Sequence, residues 1–115
     1  MKRRFIESEA GLEDPIVSLG KALAALDNPV EAKAFLQDLC TPAELEALSD
    51  RWRVVPYILE GLAYREIHER CSVSVTTIGR VARCLASGHG GYQAAIRALK
   101  RRSLQPAADA TGVGL

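Results

Sequence analysis

The sequence predicts an all-α fold on three observations. A capping residue followed by proline opens three separate segments, apolar residues recur every three or four positions behind each of them, and no β-branched run alternates long enough to build a sheet. Length bounds the rest: 115 residues, 48% hydrophobic and 25% charged, suffice for one domain and not for a second independent core. No stretch approaches the roughly 18 apolar residues of a membrane span. Met1-Lys2-Arg3-Arg4 runs into Phe5-Ile6-Glu7-Ser8-Glu9 without an apolar signal core, so a cytoplasmic protein is expected.

Asp14 caps a first helix opened by Pro15, whose Ile16, Leu19, Leu23 and Leu26 share one face and which should stop near Asp27. Asn28 and Pro29 repeat the device with Glu31 in the first turn, and Val30, Ala34, Phe35 and Leu39 form the apolar stripe of a second helix. Thr41-Pro42-Ala43-Glu44 is a capping box that opens the longest helix, along which Leu45, Leu48, Trp52, Val55 and Leu59 recur. Pro56 lies inside it, removes one backbone hydrogen bond and crowds the carbonyl of Trp52, so a kink is expected there. Gly61 suits the C-terminal cap. Two short helices follow, Tyr64 to Arg70 and Val75 to about Ser87, separated only by Cys71-Ser72-Val73-Ser74. After Gly88, Gly90 and Gly91, the residues Tyr92, Ile96 and Leu99 mark a final helix ending in Lys100-Arg101-Arg102. A domain over 14–102 is expected between a flexible N-terminus, 1–13, and a disordered tail, 103–115.

The net charge of +1 conceals a division. Residues 1–61 carry seven Lys/Arg against eleven Asp/Glu, whereas 62–102 carry eight basic residues against Glu66 and Glu69 alone. The second half is the one able to attract a polyanion, or else it is a solvated cationic face. Cys40, Cys71 and Cys84 form no C-x-x-C pair and read as reduced, small core residues. His68 and His89 complete no metal-ligand spacing, and no nucleophile, supporting base or phosphate loop suggests an enzyme, so neither metal nor catalytic residues are expected.

The tight pair of short helices has the spacing of a helix-turn-helix. Ile67, Val73 and Ile78 take its inward places, continued by Ala82 and Leu85, and Ser74 can cap the second helix by accepting from the amide of Thr76 or Thr77. Thr76, Thr77, Gly79, Arg80 and Arg83 then project outward. A slim leading end lets the backbone approach base edges in the major groove, threonine can donate, accept or touch a thymine methyl, and arginine can bind guanine or phosphate. The bland alternative is that the threonines start a helix and the arginines keep it soluble.

Three segments, in order, resemble the Trp-repressor superfamily and, within it, the YerC/YecD-like branch: 35–51, from Phe35 through Cys40-Thr41-Pro42-Ala43-Glu44 to Arg51; 60–67, Glu60-Gly61-Leu62-Ala63-Tyr64-Arg65-Glu66-Ile67; and 76–92, Thr76-Thr77-Ile78-Gly79-Arg80 to Tyr92. The resemblance covers about residues 14 to 100. It implies a Trp-repressor-like helical bundle, an intertwined homodimer, with two recognition helices roughly one DNA turn, about 34 Å, apart on a near-palindromic operator. The family's DNA-contacting positions fall on Arg65, His68, Ser74, Val75, Thr76, Thr77 and Gly79, and charge and helical position add Arg80 and Arg83. For His68 a packed or solvent-edge ring stands beside the phosphate contact as an alternative. Ser72 occupies a place where such turns often carry glycine and is expected to take a left-handed conformation at some cost.

The tryptophan pocket of Trp repressor maps onto Thr41, Arg51 and Arg80, but Val81 stands where the family has a glycine beside the second arginine and fills space the indole needs. No tryptophan corepressor or other cofactor is therefore expected, and any small-molecule effector is left open. The reading is a DNA-binding transcriptional regulator, a repressor acting as a homodimer on double-stranded DNA. The alternative from another class is a helical protein-interaction module that kept the fold without reading DNA.

Overall fold

The computed structural model describes residues 14–104, which fold into seven helices with no strand among them. These are α1 (Pro15–Ala25), α2 (Pro29–Leu39), α3 (Pro42–Arg53), α4 (Val55–Leu59), α5 (Tyr64–Cys71), α6 (Val75–Ser87) and α7 (Gly91–Ser103). The expected flexible N-terminus, 1–13, and residues 105–115 of the expected tail lie outside the described residues; Ser103, expected to begin the tail, instead ends α7, with Leu104 as its C-cap. The chain divides into two compact units at Glu46 and Ala47.

In the first unit every helix start uses its predicted cap. Oδ1 of Asp14 accepts from the amide of Ile16 at 2.8 Å, and Oδ1 of Asn28 accepts from that of Glu31 at 2.8 Å. At α3 the amide of Thr41 donates to Oε1 of Glu44 at 2.8 Å while the amide of Glu44 donates to Oγ1 of Thr41 at 3.1 Å, the reciprocal pair of a capping box. Well-formed ends do not supply a core, however. Neither α1 nor α2 holds a buried residue, and Ile16 and Val30 are each 76% exposed. The apolar stripes predicted for both helices exist, but most of their large side chains lie open.

The second unit holds the buried side chains. Val54, Val55, Ile67, Cys71, Val73, Ile78 and Val81 cluster together, flanked by half-buried Tyr57, Ile58, Leu62, Leu85, Tyr92 and Ile96. Trp52 and Tyr92 stack with ring planes 2° apart and centroids 6.3 Å apart, which ties α3 to α7. Of the three cysteines, all free thiols, only Cys71 is buried; Cys40 and Cys84 are half-buried, so the expectation that all are core residues holds for one.

Pro56 produces a break where a kink was expected. The helix stops at Arg53, Val54 takes φ −85° and ψ −10°, and α4 restarts with Pro56 in its first turn, where a missing amide costs nothing. The interruption turns both Val54 and Val55 into the core, at 0% and 2% exposure. Gly61, at φ +84°, then closes α4: its amide donates to the carbonyl of Ile58 at 2.9 Å, and the amide of Leu62 donates to that of Tyr57 at 3.2 Å.

Ser72 ends α5 in the left-handed region, φ 62° and ψ 19°, the one non-glycine residue with positive φ among those described. An L-residue there is strained by about 1–2 kcal/mol relative to glycine, partly offset by the greater freedom glycine has when unfolded. Ser72→Gly should therefore raise stability by about 0.5–1 kcal/mol, seen as a higher midpoint in thermal or urea unfolding. An unchanged or lower midpoint contradicts the assignment of strain to this residue.

Candidate nucleic-acid interface

The turn between α5 and α6 is pinned from several directions. The backbone amide of Ser72 donates to the carbonyl of His68 at 2.8 Å, and Nη2 of Arg53, reaching from the end of α3, donates to the carbonyl of Cys71 at 3.3 Å. A cation at that end of α5 also meets the negative pole of the helix. The same guanidinium holds Asp50 at 3.3 Å. Nδ1 of His68 lies 2.8 Å from the carbonyl of Val73. A carbonyl only accepts, so Nδ1 carries the hydrogen and the ring clamps the turn.

This geometry divides the predicted contact residues. His68 is exposed, yet one ring nitrogen is committed to the turn, so the solvent-edge alternative is joined by a positioning role that spacing alone did not suggest. Ser74 is the N-cap of α6: its Oγ accepts from the amide of Thr77 at 3.1 Å and its hydroxyl donates to Oγ1 of Thr77 at 3.0 Å. Of the two amides considered, Thr77 is the partner. Thr77 is consequently half-buried and engaged, whereas Thr76 is exposed and its hydroxyl has no partner among the described residues. Val75 is 48% exposed at the tip of the helix.

Gly79 corrects the expectation of an outward position. It is buried, beneath the α5–α6 crease: a Cβ placed on it would lie 3.5 Å from Nη1 of Arg83 and 3.8 Å from Cε2 of Tyr64. The reason is cover rather than helical phase: Gly79 stands about 100° round α6 from Ile78, and the side chains of Tyr64 and Arg83 lie over it. Ala82 and Leu85, placed inward from the sequence, are half-buried, and the deep position belongs to Val81 at 0% exposure. Thr41 lies in the first unit, while Arg51, half-buried, and Arg80, exposed, lie in the second.

The cations sort by partner. Arg70 is occupied, bonded to Glu66 at 2.9 Å and resting over the Tyr57 ring at 5.8 Å. Arg65, Arg80 and Arg83 are exposed and make no ion pair among the described residues. No Asp or Glu occurs anywhere between residues 70 and 104, so α6 and α7 present positive charge without an internal counter-charge. That arrangement can hold phosphates. Among the described residues no three His, Cys, Asp or Glu side chains gather to hold a metal, and no helix is long and apolar enough to cross a membrane.

Sequence reasoning missed Arg53 and Tyr64. Arg53 acts on a carbonyl eighteen residues away, a relation no local pattern encodes. Tyr64 read as a helix start, and only its approach to Gly79 exposes its place on this face.

The different duties of the hydroxyls are measurable. Ser74→Ala should cost about 1 kcal/mol by loss of the cap, whereas Thr76→Ala should leave the unfolding midpoint within about 0.5 kcal/mol of the parent. Equal effects on urea unfolding would contradict the division.

A model of the family described as Trp repressor protein matches residues 16–100. The chain is also 34% identical over 82 residues to YerC, an uncharacterized protein of Bacillus subtilis (strain 168), an alignment that spans 71% of this chain and 79% of that protein.

Proposed function

Because this chain belongs to the Trp repressor family, a family of DNA-binding regulators, we propose that it is a transcriptional repressor that occupies a near-palindromic operator as a homodimer. The observation that carries this reading is the front of α6: Val75 and Thr76 exposed at a slim tip, flanked by Arg65, Arg80 and Arg83, none of them neutralised by a carboxylate. Thr76 is placed to read a base edge, and Arg65 to hold a phosphate. The support for a dimer is the first unit, whose helices are apolar on one face and bury nothing within the chain. Large apolar surface of that kind marks an association site. The acidic first half would then form the subunit contact and the cationic second half the DNA-binding head, in the cytoplasm.

Titration of genomic duplex fragments at two salt concentrations tests the proposal, with sedimentation giving the mass of the free protein. A dimer is expected, with a preferred sequence and an affinity that falls steeply with salt. Thr76→Ala should relax preference at one operator position, and Arg65→Ala should weaken binding to all sequences alike. A salt-insensitive protein that discriminates no sequence is instead a protein-interaction module.

The same reading includes no tryptophan corepressor. Its support is Val81, whose side chain is fully enclosed in the core cluster beside the arginine that would grip an indole. Calorimetric titration with L-tryptophan should give no binding heat. Heat that Arg80→Ala abolishes would overturn this part of the proposal.

A further inference from the structure

Tyr64 and Arg83 converge on a single bare backbone position. Tyr64 opens α5 and Arg83 stands a little over one turn beyond Gly79 on α6, and the ring edge of the one and the guanidinium of the other both come within van der Waals reach of a methyl placed on Gly79. Cε2 of Tyr64 adjoins the carbon that bears the hydroxyl, so the polar end of the ring lies over the crease. Tyr64 is 42% exposed, and neither its hydroxyl nor the Arg83 guanidinium has a partner among the described residues. The carboxylates nearest Tyr64 in sequence are Glu60, Glu66 and Glu69, of which Glu66 is already paired with Arg70.

Glycine inside a helix costs about 1 kcal/mol relative to alanine, and at Gly79 a methyl would find ordinary contact distances rather than a clash. Backbone crowding therefore does not account for the glycine. The bare position lies between a phenol and a guanidinium whose polar ends can both approach one small anion. A planar fork of donors beside a neutral hydroxyl donor, without a carboxylate, is matched to phosphate oxygens.

We propose that Tyr64 and Arg83 form a two-armed seat for one backbone phosphate of bound DNA, floored by Gly79 across the α5–α6 crease. This rests on the DNA-binding reading and adds to it a residue, Tyr64, and a shared ligand. It also gives Gly79 a role beneath the phosphate in place of a direct base or phosphate contact.

The test uses a duplex selected by its binding to the wild-type protein and measures affinity across a salt series for Arg83→Gln, Tyr64→Phe and the double variant. Arg83→Gln should reduce the slope of log affinity against log salt by about 0.9, the value for one phosphate contact. Tyr64→Phe removes an uncharged donor, so affinity should fall about 3- to 10-fold with the slope unchanged. Because both arms hold one phosphate, the double variant should lose less than the product of the single losses. Arg83→Lys should keep the slope but bind more weakly, since it keeps the charge and loses the fork. Multiplicative losses, or unchanged affinity and slope in a wild type that binds DNA, overturn the seat alone. A lowered melting midpoint in Arg83→Gln with its slope unchanged makes the pair a packing contact and equally overturns it. Absence of wild-type DNA binding overturns the functional reading itself, and the seat with it.

Discussion

The structure depends on the apolar knot under the α5–α6 turn. Ile67, Val73 and Ile78 meet there with Val54, Val55, Cys71 and Val81, and these are the buried apolar side chains among the described residues. A core this small stabilises a chain only marginally, because each ordered residue costs backbone entropy whether or not it buries anything. The consequence is a division of labour along the chain. The second unit can define a fixed orientation for α6, whereas α1 and α2 have satisfied ends and apolar faces but no interior of their own. The proposed dimer follows from that deficit as well as from the family.

Fixing α6 requires more than apolar contact, since the connecting turn has few residues and exposed backbone groups. Three devices handle it: Ser72 bends the chain through the left-handed region, Arg53 and His68 bind the carbonyls on either side of that bend, and Ser74 caps the helix that follows. Each satisfies a backbone group that the sharp turn would leave open. The slim tip of α6 is what remains outside these constraints. Thr77 is drawn into the cap and Gly79 into the crease, which leaves Val75, Thr76 and the arginines as the solvent-facing part.

Local chemistry was legible in the sequence to the extent that it acts locally. Caps at Asp14, Asn28, Thr41 and Ser74, the span of α6 and the left-handed backbone at Ser72 all depend on residues within four positions of one another, and all appear as predicted, while α5 runs one residue longer than expected and takes in Cys71. Pro56 shows the limit. Its own effect on the hydrogen-bond ladder was clear, but whether the helix bends or stops depends on whether Val54 and Val55 gain by turning inward, which is a tertiary matter. Gly79 fails for another reason: it is covered by the side chains of Tyr64 and Arg83, so periodicity could not reveal its burial. The clamps from Arg53 and His68, and the meeting of Tyr64 with Arg83, join groups whose nearness arises only once the helices pack.

Val81 connects these levels. In the family pattern its position is small and lies beside a ligand; here a β-branched side chain completes the interior at no exposure to solvent. Filling that place stabilises the packing of α6 on its neighbours, since a void of that size at a buried site costs about 0.5–1.5 kcal/mol per methyl group lost. The orientation of α6 is then held by the chain's own groups: the valine beneath it, the arginine from α3 and the histidine from α5. On the proposed function, a surface organised in this way would have little left to order when a duplex binds, which lowers the cost of association.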